Sequence, residues 1–286
     1  MAITAALVKE LREKTGVGMM KCKQALVETD GDVEKAIANL RKAGAAVAAK
    51  KAGREANEGK VFFATSGTTI AAVEVFCETE PTSGNEGYIA FGESAAKLAA
   101  EGNITDLPTL LASPLNDSTV QEELNVLVGR ITENIGIKRH AIISSENAAV
   151  ATYSHMGGKI GVVVRLTFPG TATDMAVIET VAKDLAMQVA ATAPIAVNSS
   201  EVSAEIIAAE REVYVELARK AGTKEEYIDR QIEGKLKKYL KEVCLAEQMF
   251  IKDTKKPVTE LLKETAAAAG VESLEIGEFV RFELGK

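Results

Sequence analysis

Residues 75–85 read VFCETEPTSGN, and with Glu74 before them they place three carboxylates, Glu74, Glu78 and Glu80, close together in the chain. Carboxylates gathered in a cleft could share general acid and general base work. Their spacing obliges no common face on a strand and loop, however, and no second group completes the chemistry. Other reactive types are sparse. The two histidines, His140 and His155, are too few for a metal cluster and form no nucleophile–histidine arrangement. His140 lies in an apolar strand pattern and reads as structural. Cys22, Cys77 and Cys244 are odd in number, lack metal spacing and sit in apolar patterns expected of buried thiols, which fits a reduced, cytosolic protein. Gly157-Gly158-Lys159-Ile160 lacks the preceding glycine spacing and the hydroxyl residue of a phosphate-binding P-loop, so a hairpin turn accounts for it better. The expectation is a protein that acts by binding, with no catalytic residue, metal or cofactor of its own.

The elements that must position these residues fill 286 residues, enough for about two domains with real cores. A net charge of -7 argues against a nucleic-acid surface, and the lack of tryptophan weakens base stacking. No stretch reaches the roughly 20 apolar residues that span a bilayer, and the N-terminus opens with a capped amphipathic helix, so neither a membrane protein nor an exported one is expected.

Residues 11–26, LREKTGVGMMKCKQAL, are the joint of a small helical bundle. Thr4 can cap a first helix with Leu7, Val8 and Leu11 on one face, and the Thr15-Gly16-Val17-Gly18 run stops it. A second short helix carries Met20, Cys22, Ala25 and Leu26. Asp32 caps a third with Val33, Ala36, Ile37 and Leu40, which Gly44 is expected to end. Helices this short must fold on one another. Either Met19 and Met20 both complete that core, or one stays outside as a flexible thioether suited to a protein-binding face.

After a partly helical connector over 45–59, residues 60–64 and 69–76 read as strands about a Ser66-Gly67 turn. A covering helix follows with Tyr88, Phe91, Ala95 and Leu98. Pro108 and Pro114 mark loops, Thr119 and Glu122 have capping-box spacing, and 137–143 is another strand. The pattern recurs: 148–155 and 160–168 form strands about Gly157-Gly158, then a helix carries Ile178, Val181, Leu185 and Val189. IAAVEV at 70–75 aligns with IGVVVR at 160–165 as an internal repeat. From Ser203 a charged helix runs to Gly222, and a second, capped by Thr223 and Glu226, must lie antiparallel to it. Pro257 opens one more helix, and 278–284 alternates as a final strand. The fold expected is α+β: a helical bundle over 1–44, a linker over 45–59, and two similar α+β subdomains of antiparallel strands with covering helices over 60–145 and 146–286. The second includes a projecting antiparallel helical hairpin, 203–243.

LREKTGVGMMKCKQAL resembles the N-terminal signature of the bacterial elongation factor Ts family, guanine-nucleotide exchange factors for elongation factor Tu. Leu11, Arg12, Thr15, Gly16, Gly18, Met19, Lys23, Ala25 and Leu26 match, similarity continues to Leu284, and Lys21 departs where the family usually has an acidic residue. The resemblance implies a three-helix UBA-like bundle presenting Arg12, Met19 and Met20 to the GTPase domain. It places a coiled coil at the hairpin, whose apolar stripe could also join two copies into a homodimer. YSHMGGKIG resembles the family's second hairpin, which makes His155 and Gly157 partner contacts. Many relatives continue beyond the position of Lys286 with a segment that touches the GTPase, a contact expected to be missing here.

At 77–82 the family usually reads Cys-Gln-Thr-Asp-Phe-Val and pushes its acidic–aromatic pair beside the nucleotide. This chain keeps Cys77 and Thr79 but has Glu78, Glu80, Pro81 and Thr82. GDP is held by magnesium and by backbone amides round its phosphates, so a wedge that displaces either weakens both. Losing an aromatic anchor commonly costs ~2 kcal/mol or more, roughly thirtyfold in an equilibrium constant. Thr79, Glu80, Pro81 and Thr82 are therefore expected to form a weakened wedge, stiffened because proline pushes Glu80 toward an extended conformation. The alternatives are a binding scaffold of the same fold without productive exchange and, of another class, an enzyme using the three carboxylates.

Overall fold

The side-chain oxygen of Thr4 accepts the Leu7 N–H at 3.2 Å and starts helix α1, Ala5–Thr15, which Gly16 ends at φ +63°. The architecture is that of a computed structural model describing residues 3–286, the side chain of Glu226 excepted. Helix α2, Met19–Glu28, and helix α3, Val33–Lys51, complete the bundle, with Asp32 accepting the Lys35 N–H at 3.0 Å to cap α3. Val8, Leu11, Cys22, Leu26 and Ala36 make its core.

Gly44 does not end α3, which runs on to Lys51 through the first part of the expected connector. A Cβ on Gly44 would collide with the backbone carbonyl of Asn125, and one on Gly129 would come within 3.0 Å of the Gly44 Cα. The two glycines let α3 cross the helix over 120–131 at backbone contact.

Strands β1, Glu58–Ser66, and β2, Thr69–Cys77, pair antiparallel about the turn at Gly67. Four helices follow: the single turn α4, Glu80–Ser83; α5, Glu86–Glu101; α6, Leu107–Ala112; and, after the small ladder of β3, Pro114–Leu115, with β4, Ser118–Thr119, helix α7, Val120–Ile131. Pro108 is not in a loop. It occupies the first turn of α6, where its missing N–H is lost at no cost. Thr119 and Glu122 form the expected capping box. Strand β5, Gly136–Ser144, pairs with β2 and places β2 at the centre of the sheet. Tyr88 of α5 locks helix to sheet, its hydroxyl donating to the Val75 carbonyl at 2.6 Å and accepting the Lys60 N–H at 3.0 Å. Burial holds that phenol well above its ordinary pKa.

The second sheet has the order β10-β7-β6, from β6, Ala148–His155, β7, Ile160–Thr167, and β10, Glu275–Glu283. Again the second hairpin strand is central and a helix follows it, α8, Met175–Thr192. Helices α9, Ala204–Lys220, and α10, Glu225–Val243, form the hairpin. The pairs Arg211–Asp229 and Arg219–Glu225 fix them as antiparallel. Lys224, not Thr223, occupies the N-cap of α10, and the expected Glu226 part of that cap lies outside the described residues. Gln188 of α8 is fully buried and donates to Gln248 and to the Met249 carbonyl, which anchors the ladder of β8, Met249–Phe250, with β9, Asp253–Pro257. Helix α11, Val258–Ala269, follows Pro257.

Two compact units result: Met1–Ser144 with Ser154–Gly161 and Phe282–Lys286, and Ser145–Tyr153 with Val162–Arg281. No helix among the described residues is long and apolar enough to cross a membrane.

Gly44→Val should force α3 away from α7 and destabilise the protein by about 1–3 kcal/mol. Denaturant unfolding checks this, and a wild-type midpoint would count against the glycine crossing.

Candidate functional site

The turn at the end of β2 is built on a carboxylate from elsewhere. Glu133, just past α7, accepts the Glu78 N–H at 3.2 Å and the Thr79 N–H at 3.1 Å on one oxygen, and the Thr79 hydroxyl at 2.7 Å on the other. Thr132 holds Glu133 there by ending α7 in the left-handed region, at φ +65°. Thr79 is extended, at φ −130° and ψ 150°, and Glu80 is already the first residue of α4. The extended residue is thus Thr79 rather than Glu80, and Pro81 lies in the first turn, where its fixed φ suits a helix. Glu80 and Pro81 face solvent, while Thr82 and Ser83 are buried beneath them. The Ser83 hydroxyl donates to the Glu80 carbonyl at 2.8 Å, and Asn85 caps α5 through the Gly87 and Tyr88 N–H groups.

A second set of contacts braces Glu78. One oxygen accepts the Asn134 N–H at 2.6 Å and the other lies 3.3 Å from Arg54, while the Asn134 amide donates to the Arg54 carbonyl at 2.7 Å. The Asn134 N–H is the main cause, and Arg54 a further one, of a Glu78 carboxyl held below its ordinary pKa. Burial and the nearby Glu133 charge push the Cys77 thiol up to about 12, so this cysteine is inert. The three carboxylates do not converge. Glu74 is fully buried and paired with Arg139 at 2.6 Å, Glu78 is committed to the root of the turn, and Glu80 faces solvent. Among the described residues no group of three or more His, Cys, Asp or Glu is placed to hold a metal ion.

In the bundle Met19 is 45% exposed and Met20 78%, so neither completes the core. Arg12 is exposed too. Lys21, the departure from the signature, donates to the Gly129 carbonyl at 3.0 Å in the last turn of α7, where a cation meets the negative helix end. At the other hairpin His155 and Gly157 are exposed at a 3-10 turn, Met156–Gly158, together with Met156 itself. That tip belongs to the first unit, as do the bundle and the α4 turn. His140 is structural, its ring nitrogen 2.8 Å from the Ile104 carbonyl. Glu133, Asn134, Arg54 and Met156 are not found from the sequence. The first three act across long separations with no periodic signal, and Met156 differs from any other apolar residue only by its exposure.

A sequence profile described as Elongation factor TS matches residues 78–286. Among curated proteins the chain is 41% identical over 287 residues to Elongation factor Ts of Clostridium botulinum (strain Alaska E43 / Type E3), covering 99% of this chain and 93% of that one. It is 42% identical over 287 residues to Elongation factor Ts of Clostridium perfringens (strain 13 / Type A), with the same coverage. To Elongation factor Ts of Aeromonas hydrophila it is 41% identical over 285 residues, covering 99% and 91%.

A glutamate whose folded pKa is depressed contributes stability above its unfolded pKa and loses it as pH falls through the folded value. Stability should therefore drop on acidification from about pH 4.5 downward, and Glu78→Gln should flatten that part of the curve. Urea midpoints measured from pH 6 to pH 3 test this, and parallel curves would show that the bracing of Glu78 is not coupled to folding.

Proposed function

The chain belongs to the elongation factor Ts family, and we propose that it promotes release of GDP from elongation factor Tu by pressing the Glu80-Pro81 turn against the site that holds magnesium and phosphates. The observation that carries this is the turn itself: two exposed residues on one helical turn, held from below by the three hydrogen bonds to Glu133. A projection ordered before docking loses little conformational freedom on binding, so more of the contact energy is left to disturb the nucleotide.

Arg12, Met19 and Met20 dock the GTPase domain, and His155 and Gly157 hold a second region of the same partner. These faces supply affinity, and the turn converts it into weaker GDP binding. The protein turns over no substrate of its own and works in the cytoplasm without touching nucleic acid. Val213 and Leu217, one helical turn apart on α9, are exposed, and a second copy could pair there. Without the aromatic residue the wedge is weaker, so docking outside the turn carries more of the coupling.

Release of fluorescent GDP from elongation factor Tu, followed by stopped flow, should accelerate saturably with this protein. Pro81→Phe should accelerate it further, by up to about thirtyfold. Binding without faster release would leave a scaffold in place of an exchange factor.

A further inference from the structure

Lys159 follows the second hairpin tip directly and joins it to the root of the α4 turn. Its ammonium lies 2.7 Å from Glu58, both side chains being 31% exposed. Glu58 opens β1 and pairs in register with Cys77, the last residue of β2 before the turn. The Lys159 backbone carbonyl accepts the Leu284 N–H at 3.0 Å, which fixes the lysine from the other side. Gly158, at φ +103°, lies over the aliphatic stem of Lys60, and a Cβ there would come within 3.0 Å of it. The tip therefore stands on β1 at the end from which the turn projects.

We infer that Lys159 is a positioning residue for nucleotide exchange, its ion pair with Glu58 holding the His155–Gly157 tip and the Glu80–Pro81 turn in one arrangement so that a single partner surface meets both. The inference rests on the exchange reading above. The charge environment agrees with it: the Lys159 pKa is raised first by Glu58, and Glu80 and Cys77 are among the other groups that raise it. The oxygen of Glu58 that Lys159 reaches is buried, so the ammonium is the cation that meets it there. A part-exposed pair of this kind contributes little to folding. Its loss should disturb alignment far more than stability, which separates positioning from simple structural support.

The test compares Lys159→Met, Glu58→Gln and the exchanged pair Glu58→Lys with Lys159→Glu, in the full chain. Each single variant should lower the saturating GDP release rate about tenfold, the scale of a small misplacement. Its dissociation constant for nucleotide-free elongation factor Tu should change less than about threefold, and the melting temperature of Glu58→Gln, which leaves no buried charge unpaired, should stay near wild type. The exchanged pair should recover most of the rate. Single variants that release GDP at the wild-type rate, or an exchanged pair no better than either, would overturn the inference. Spin labels at Met156→Cys and Gly84→Cys give a second readout independent of exchange. Their distance distribution should be narrow with Lys159 and broaden in Lys159→Met, and equal widths would also overturn it. A wild-type protein that fails to speed release would instead remove the exchange reading, while the label distances still decide whether Lys159 fixes tip to turn.

Discussion

The carboxylate of Glu133 is the contact on which the α4 turn of the first unit depends. Residues 78 and 79 leave the sheet with two N–H groups that no strand partner takes up, and Glu133 accepts both together with the Thr79 hydroxyl. An N–H left unmade in a part-buried place costs about 1–3 kcal/mol, enough to let a four-residue helix lose its fixed start. Glu133 can do this because Thr132 ends α7 in the left-handed region. Helix α7 is held in turn by α3 through Gly44 and Gly129, and by Lys21 at the Gly129 carbonyl. One helix thus carries the bundle along its side and the α4 turn at its end.

On the proposed reading the protein works by binding, and such a protein has to keep its partner-facing residues out of its own core. Met19, Met20 and Met156 stand outside although Cys22, Leu26 and Gly158, close to them in sequence, are buried. The same division recurs within α4, where Glu80 and Pro81 are exposed and Thr82 and Ser83 support them. The carboxylates divide likewise. Glu74 is taken into the sheet by Arg139 and Glu78 into the root of the turn, which leaves Glu80 exposed to solvent.

Local signals in the sequence carry much of the fold. Thr4, Asp32 and the Thr119–Glu122 box cap helices where their spacing places them, and the recurrence of IAAVEV as IGVVVR becomes a central strand in each sheet. The fold departs from those local signals where a local rule meets a distant neighbour. Gly44 reads as a helix stop until Asn125 and Gly129 show why a side chain is missing there. Proline normally makes the residue before it extended, yet Glu133, 54 residues away, shifts the extended position to Thr79. The signature marked Arg12 and both methionines, but no pattern in the chain announces Glu133, Asn134, Arg54 or the Glu58–Lys159 pair. Each is a pairing across folded space between residues that look like ordinary surface charges.

Exchange by binding requires reciprocity: a protein that weakens GDP binding must itself bind the nucleotide-free GTPase more tightly, by the same factor. Calorimetric titration of this protein into nucleotide-free and GDP-loaded elongation factor Tu tests that most directly. The expected result is tighter binding to the nucleotide-free form, with the ratio of the two dissociation constants equal to the loss of GDP affinity at saturating protein. Equal affinity for the two forms would contradict the account.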